Sequence, residues 1–174
     1  MEKRTSRGKS SSQGFSFIEL IIVVCIMGIL AAIAVPSLLK ARMAANEASA
    51  LASVRLIVRS EVTYKTANLD GNYATLDQLF EQRHIDETLG VAPYLKNGYI
   101  FSVDLMPAAS ETPARFDVRA NPIVHTFTST LTGTGTRNFG ANEAGAIYKT
   151  DDNTLVTFDP VTRISLGTAT PAPE

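Results

Sequence analysis

The chain has 174 residues, of which 45% are hydrophobic and 19% are charged, and its formal net charge at pH 7 is -1. A chain of this length holds one modest domain and an accessory segment, which argues against two full domains. Its only cysteine, Cys25, excludes an intrachain disulfide and a metal site built from several cysteines.

The charge is distributed unevenly along the chain. Residues 1–14 contain four basic residues and one acidic residue, so this segment carries +3 and the remainder of the chain carries −4. The remainder has no stripe of lysine and arginine among aromatic residues. Nucleic-acid binding is therefore not predicted as the main task.

The first predicted element is a transmembrane helix. Leu20 to Leu39 is a run of 20 residues without a charge, and at about 1.5 Å per residue an α-helix of that length spans roughly the 30 Å hydrocarbon core. The basic flank before it places residues 1–14 in the cytoplasm and the chain after about Lys40 on the far side of the membrane. The soluble part is expected to be exported.

Two other interpretations of this segment were open. A secretory signal peptide also has a basic start, an apolar stretch and small residues such as Ala32-Ile33-Ala34. Glu19 near the start, the length of the run and the helical pattern beyond it argue against cleavage there. A plain single-pass anchor is the second alternative, because Glu19 at the membrane surface has a low cost in free energy.

The string Gly14-Phe15-Ser16-Phe17-Ile18-Glu19, followed by an apolar run with Gly28 and Pro36, closely resembles the class III leader and N-terminal helix of type IV prepilins and related pseudopilins. The resemblance is specific through about residue 65. It implies that a membrane-embedded prepilin peptidase cuts after Gly14 and methylates the new N-terminus at Phe15. It also implies that Glu19 acts in assembly by meeting the N-terminal ammonium of an adjacent subunit.

Gly28 and Pro36 are the predicted break points of the helix. Proline inside a helix removes one backbone hydrogen bond and clashes with the preceding turn, so we expect a bend or a local loosening. The resemblance adds that the stretch between these residues unwinds in some relatives when subunits pack into a filament. A simple kinked membrane helix is the alternative.

After Lys40 the helix is predicted to become amphipathic and to continue to about Ala67, where turn residues at 68–72 end it. Its apolar face is predicted from residues at steps of three and four, namely Ala44, Ala48, Leu51, Val54, Val58 and Val62. The residues predicted to face away are Asn46, Ser53, Ser60 and Thr63. This half of the helix needs a partner surface.

The exported part is predicted to combine a short helix with a small sheet. Residues 75–84 predict the helix, with Thr75 as its cap and Gln78 three residues on. Alternating apolar and polar residues over 98–107 and 114–122 predict an antiparallel pair of strands, followed by a third strand near 144–150. The remaining segment, 154–167, is a candidate edge strand.

The predicted fold class is α+β, with a long N-terminal α-helix, part transmembrane and part amphipathic, packed on a small antiparallel β-sheet head. Many pilins close a C-terminal loop with a disulfide, but here no cysteine follows Cys25, so the head is expected to be held by packing alone. The expected division is a leader at 1–14, an assembly helix at 15–39, an amphipathic half at 40–68, a head at 69–167 and a frayed tail at 168–174.

No catalytic site, metal site or cofactor is predicted. His84 and His125 lie in different elements without metal-binding spacing, and no nucleophile motif surrounds a serine. Arg55 and Arg59 are one helical turn apart and are expected to be a solvated or subunit-facing pair rather than a phosphate clamp.

A polar group near the end of the chain was considered as a calcium site. Its spacing does not match an EF-hand, so a solvated turn is favoured. The group consists of Asp151, Asp152, Asn153 and Asp159.

The sequence and the resemblance together predict a structural subunit of a type IV pilus-like helical filament. The expected partners are identical or related pilin subunits, the prepilin peptidase, an assembly platform with its motor ATPase and, before assembly, lipid of the bacterial inner membrane. The assembled filament is expected to be extracellular or periplasmic. A pseudopilin of a type II secretion system and a membrane-anchored binding protein that does not assemble are the alternatives.

Overall fold

The computed structural model describes residues 14–68, 70–125 and 133–172. The chain divides into two compact units, Met1–Ser37 and Leu38–Glu174, at a point one residue after Pro36. The helix α1, Phe17–Ala67, contributes to both units and runs through Gly28 and Pro36 without an interruption in its helical assignment. The predicted long helix is confirmed, whereas its unwinding concerns a filament and stays a prediction.

In its described residues, the second unit combines three helical segments with a six-stranded sheet. Two short helices follow α1 in the chain: α2, Leu76–Glu81, and α3, Glu87–Gly90. The strands are β1 (Leu95–Lys96), β2 (Tyr99–Met106), β3 (Arg115–Pro122), β4 (Asn138–Asn142), β5 (Ile147–Thr150) and β6 (Thr170–Pro171). They lie in chain order and every neighbouring pair is antiparallel. The predicted α+β class is confirmed.

The main core lies between the sheet and the part of α1 within the second unit. The helix contributes Ala50, Val54, Ile57, Val58 and Tyr64 to the core cluster. The strands contribute buried aromatic and aliphatic side chains, which are Tyr99, Phe101, Phe116, Val118, Ala120, Phe139 and Ala141. Burying the apolar stripe of a helix on one face of a sheet is the standard way for a domain of this size to form a core.

The buried face of α1 differs from the predicted one. Its buried positions are Met43, Glu47, Ala50, Ser53, Val54, Ile57, Val58, Ser60, Glu61 and Tyr64. Ala44, Ala48 and Val62 are exposed, whereas Ser53 and Ser60, which were predicted to face away, are buried. The prediction is confirmed at Val54 and Val58 and wrong at these five positions, because it followed apolar residues only and this face also includes two glutamates and two serines.

The short helix α2 begins as the sequence predicted. The Thr75 hydroxyl accepts the Gln78 backbone N–H at 3.2 Å, and the Gln78 side chain accepts the Thr75 backbone N–H at 2.8 Å. This reciprocal pair is a capping box, which satisfies N–H groups that have no partner within the helix. The predicted cap is confirmed.

The two long strands also match the alternating pattern. β2 and β3 pair over their full lengths, with Val103 opposite Val118. The turn that joins β1 to β2 has Asn97 at φ 48° and Gly98 at φ 77°. Two successive positive φ angles are typical of a type I′ hairpin turn, for which Asn-Gly is a preferred sequence. This signal was present in the sequence but did not enter the prediction.

Strand β4 was not predicted. Its sequence, NFGAN, has neither alternation nor a high content of β-branched residues, although all five residues are buried. Its two asparagines hold the C-terminal segment, because Asn138 donates to the Thr154 carbonyl at 2.9 Å and Asn142 donates to the Arg163 carbonyl at 2.8 Å. The formation of β4 therefore depends on its central position in the sheet and on its hydrogen bonds to the C-terminal segment.

Strand pairing near the C-terminal end of the chain extends to later residues than the sequence predicted. Thr170 and Pro171 form β6 and pair with Lys149 and Tyr148 of β5, where the sequence had indicated a frayed tail at 168–174. The candidate edge strand at 154–167 has no strand assignment in the structure. The edge strand therefore lies later in the chain than predicted.

The C-terminal segment is held by a polar cluster in addition to apolar packing, which corrects the expectation of packing alone. The Arg163 guanidinium donates to both carboxylate oxygens of Glu143 at 2.7 Å, to the Phe116 carbonyl at 3.0 Å and to the Asp117 carboxylate. The side chains of Arg163 and Asp117 are only 11% and 9% exposed. Burial raises the pKa of Asp117 above its ordinary value, although the Arg163 guanidinium opposes that change.

We expect Arg163→Met to lower the free energy of unfolding by about 3 kcal/mol at pH 7, because it leaves the Asp117 carboxylate buried without its cation. Urea unfolding of the full chain in detergent would measure this. Lys96→Met is the matched control, since the Lys96–Asp86 ion pair is more exposed and should contribute no more than about 1 kcal/mol. Equal losses in the two variants would contradict a special role for the Arg163 cluster.

Candidate functional site

The candidate site is the N-terminal segment from Gly14 into the first turns of α1. Gly14, Phe15 and Ser16 precede the helix, which begins at Phe17. Phe15 and Phe17 are 79% and 78% exposed, so neither aromatic ring is used to fold the described part of the chain. A segment that is both apolar and uncovered needs a lipid or protein environment.

Gly14 has open space around its α-carbon. A Cβ built at this position would meet no atom of the described residues within 4 Å, and the same holds for Gly28 within α1. Neither glycine has a positive φ that would strain another residue. The described fold therefore places no steric requirement for glycine on either position.

Glu19 lies in the first turn of α1 and is exposed. Within the described ranges, its carboxylate has no hydrogen-bond or ion-pair partner. A carboxylate in the first turn interacts favourably with the helix dipole, which contributes about 0.3–1 kcal/mol. The structure thus places Glu19 next to Phe15 and Phe17 in sequence and leaves its charge available.

From Leu20 to Leu39 the helix has no charged residue. In the part of the chain that the structure describes, α1 is the one helix long and apolar enough to cross a membrane, and no residue of its most apolar window is buried. Cys25 is exposed within this stretch. Gly28 is exposed on this stretch, whereas Pro36, the only proline inside α1, is half-buried.

The arginine pair lies at a groove within the second unit. Arg55 and Arg59 line it together with Val58 of α1, with residues 145–147 at the start of β5, and with residues 171–172. The groove has a volume of about 760 Å³, and no carboxylate of the described residues lines it. Arg59 is exposed and Arg55 is half-buried, which fits the interpretation of an outward-facing pair.

Each aspartate of the acidic group near the C-terminus has a hydrogen-bond or ion-pair partner within the chain. Asp152 accepts from Thr154 and from the Thr168 hydroxyl at 2.7 Å, and Asp159 accepts from the backbone N–H groups of Val161 and Thr162. Asp151 pairs with Arg137 at 2.8 Å. No group of three or more histidine, cysteine or acidic side chains among the described residues is arranged to hold a metal ion.

Two buried carboxylates on α1 were missed by the sequence analysis. Glu47 is 8% exposed and Glu61 is 0% exposed. A signal existed, because Glu47, Val54 and Glu61 are spaced by seven residues, as are Ala50, Ile57 and Tyr64, and such spacing keeps positions on one face of a helix. Each carboxylate receives hydrogen bonds from a segment distant in sequence, which no local pattern reveals.

Comparison with known proteins places the family signal at the N-terminus. Residues 9–35 match the family model described as the prokaryotic N-terminal methylation motif. This range covers Gly14, Phe15 and Glu19 and ends just before Pro36. No solved structure matches this chain.

Two major pilus proteins are similar to part of the chain. The type IV major pilin protein PilA of Myxococcus xanthus is 36% identical over 61 residues, which cover 35% of this chain and 28% of that protein. The type IV wide pilus major component PilA4 of Thermus thermophilus is 38% identical over 68 residues, which cover 39% of this chain and 50% of that protein. The matches thus span half or less of these relatives. Together with the methylation motif, they confirm the resemblance to type IV pilins.

Proposed function

We propose that this chain is a structural subunit of a type IV pilus-like filament. The observation that carries the proposal is an N-terminal methylation motif joined directly to an apolar helix that the rest of the described chain leaves uncovered. The similarity to two major pilus proteins supports the same assignment. These relatives are structural components by name, which favours a structural subunit over an enzyme.

Maturation is proposed to begin with cleavage after Gly14. A prepilin peptidase in the membrane would remove residues 1–14 on the cytoplasmic side and methylate the amino group of Phe15. Glycine at the cut allows close approach of the backbone to the protease because it has no side chain. The exposed position of Gly14 and the open space around it are compatible with such access.

Assembly is proposed to use the new N-terminus together with Glu19. A carboxylate in lipid costs roughly 2.5–3.5 kcal/mol or more unless it is paired. The ammonium of Phe15 on an adjacent subunit would supply that partner, so each Glu19 would set the register of its neighbour. A repeated head-to-tail contact of this kind does not close and therefore generates a fibre.

Before assembly, the apolar helix would anchor the subunit in the bacterial inner membrane with the sheet domain exported. An assembly platform and a motor ATPase would then extract subunits into an extracellular filament of identical or related pilins. Gly28 and Pro36 would be the positions where the helix loosens as it leaves lipid and packs against its neighbours.

The nearest alternative is a pseudopilin of a type II secretion system, which would form a short periplasmic fibre by the same steps. Both relatives are major pilus components, which favours the pilus. A non-assembling membrane anchor is the second alternative, and it gives no reason for the methylation motif at residues 9–35.

The intact mass of the protein, compared between filaments sheared from the cell surface and the membrane fraction, tests the proposal. We expect a species that starts at Phe15, carries one additional methyl group and dominates the sheared material. The same processed species confined to membranes would instead indicate a pseudopilin or a minor subunit. A chain that retains residues 1–14 in both fractions would overturn the proposal.

A further inference from the structure

The further inference concerns Glu61, a buried glutamate near the C-terminal end of α1. Its side chain is 0% exposed, and its Oε2 accepts the backbone N–H of Ala74 at 2.9 Å. Its other oxygen, Oε1, is buried and has no hydrogen-bond partner among the described residues. A buried ionised carboxylate with a single neutral donor is unfavourable, because burial disfavours the charged form.

Glu47, on the same face of α1, shows how this helix buries a charged glutamate. Its Oε1 accepts the Thr136 backbone N–H at 2.7 Å and the Thr136 hydroxyl at 2.6 Å. Its Oε2 accepts from the Arg137 guanidinium at 3.1 Å. Both oxygens of Glu47 are therefore satisfied and its charge is paired, whereas neither is true of Glu61.

Three charged side chains on α1, α2 and β3 have partners other than Glu61. On α1, Lys65 lies one turn further on, but its ammonium is over the Tyr73 ring at 4.4 Å from the centroid and 3.4 Å from the hydroxyl. On α2, Asp77 accepts from the Tyr94 hydroxyl at 3.0 Å. On β3, Arg115 donates to the Pro160 carbonyl.

Asp70 and Asp117 also have partners other than Glu61. Asp70, in the connection after α1, is exposed and accepts from the Asn72 backbone N–H at 3.2 Å. Asp117 of β3 pairs with Arg163. Ser60 beside Glu61 donates to the carbonyl of His84, not to its ring. None of the described ion pairs includes Glu61.

The single bond of Glu61 holds a defined segment. Ala74 is fully buried and immediately precedes Thr75, the cap of α2. The bond therefore ties the end of α1 to the connection at 70–75. Because Ala74 and Glu61 are both fully buried, solvation of the Glu61 carboxylate requires a local opening of the structure.

We propose that Glu61 is a proton-dependent latch, which as a neutral carboxylic acid is buried against Ala74 and on ionisation favours release of the connection at 70–75. Burial raises the pKa of Glu61 from its ordinary value to about 7, although the Ala74 N–H opposes this. The carboxyl of an exposed glutamate titrates near 4.3. A raised pKa in the closed state means that closure is fully favoured below about pH 4.5, weakens as the pH rises to 7, and then stays constant.

Hydrogen exchange of the full chain in detergent tests the latch. We expect protection of the amides at 70–75, corrected for intrinsic exchange, to fall at least about tenfold between pH 5 and pH 7. Glu61→Gln should remove this pH dependence, because the amide oxygen still accepts from Ala74 but does not ionise. Glu47→Gln is the matched control and should retain the dependence. Protection that is independent of pH in the unsubstituted chain would overturn the proposal.

A second measurement uses only the unsubstituted chain, so it does not depend on whether the Glu61→Gln variant folds. In the unsubstituted chain, labelled with ¹³C at the glutamate carboxyl carbons, we expect one resonance to titrate near pH 7. Glutamate labelling keeps the titration of Asp117 out of the spectrum. If every glutamate carboxyl titrates below about pH 5.5, Glu61 is ionised in the folded domain and the latch does not exist.

Discussion

Glu19→Ala is expected to be cleaved and methylated normally but to be absent from sheared filaments. The substitution leaves the segment around Gly14 unchanged, so the peptidase still has its substrate. The ammonium at Phe15 of each incoming subunit would then enter an apolar environment without an anion. An unpaired charge in lipid costs several kcal/mol at every subunit contact, and a polymer repeats that cost along its length.

A purely local role of Glu19 predicts a much smaller effect. A first-turn carboxylate stabilises its own helix by about 0.3–1 kcal/mol through the helix dipole, which is small against the tertiary contacts of a domain. Glu87→Ala is the matched control, because Glu87 is also an exposed acidic residue in the first turn of a helix, α3, but lies outside the apolar segment. This control should assemble as the unsubstituted protein does.

The measurement is the amount and the intact mass of the protein in the sheared and membrane fractions. Normal surface filaments of Glu19→Ala would contradict the proposed pairing and would favour the simple anchor. Glu19→Asp separates charge from geometry, since it keeps the carboxylate but shortens its reach by one methylene group. Partial assembly of this variant would show that position as well as charge sets the register.

Gly14→Val is expected to block cleavage, so that the protein retains residues 1–14 and stays in the membrane fraction. The cause would be recognition by the peptidase and not a folding defect, because a Cβ at Gly14 meets no atom within 4 Å. Intact mass measures the result directly, as the retained leader and the missing methyl group both change the mass. Without a free amino group at Phe15, Glu19 has no partner and filaments should be absent.

Gly28→Val is the matched control for this substitution. Gly28 has the same open surroundings as Gly14 but lies inside α1, well past the proposed cut. Its variant should be cleaved to a chain that starts at Phe15, whatever its later fate in assembly. A Gly14→Val chain that is processed as efficiently as Gly28→Val would show that the cut does not depend on Gly14.

Local signals predicted the elements whose stability is decided within a few residues. The charge-free run at Leu20–Leu39 predicted the uncovered apolar part of α1, and Thr75 with Gln78 predicted the start of α2 through a capping box. Alternation of apolar and polar residues predicted β2 and β3, because alternate side chains of these strands enter the core. The Asn97-Gly98 turn belongs to the same group, since its signal is local even though it was overlooked.

The candidate site belongs to this group as well. Gly14, Phe15 and Glu19 form a linear motif, so their order in the sequence is the information that a processing enzyme would read. The matched motif at residues 9–35 contains all three. The structure adds that the segment is exposed and sterically free.

The sequence by itself determined the motif, the long helix, the capped α2, the paired strands β2 and β3, and the α+β class. Only the tertiary structure decided which face of α1 is buried. The polar side chains of Glu47 and Glu61 lie on that face because Thr136, Arg137 and Ala74, in segments distant along the chain, form hydrogen bonds with them. It also decided the existence of β4 and the anchoring of the C-terminal segment by Arg163. Burying a polar group costs free energy unless the group has hydrogen-bond partners. The fold, rather than the neighbours in the chain, supplies those partners.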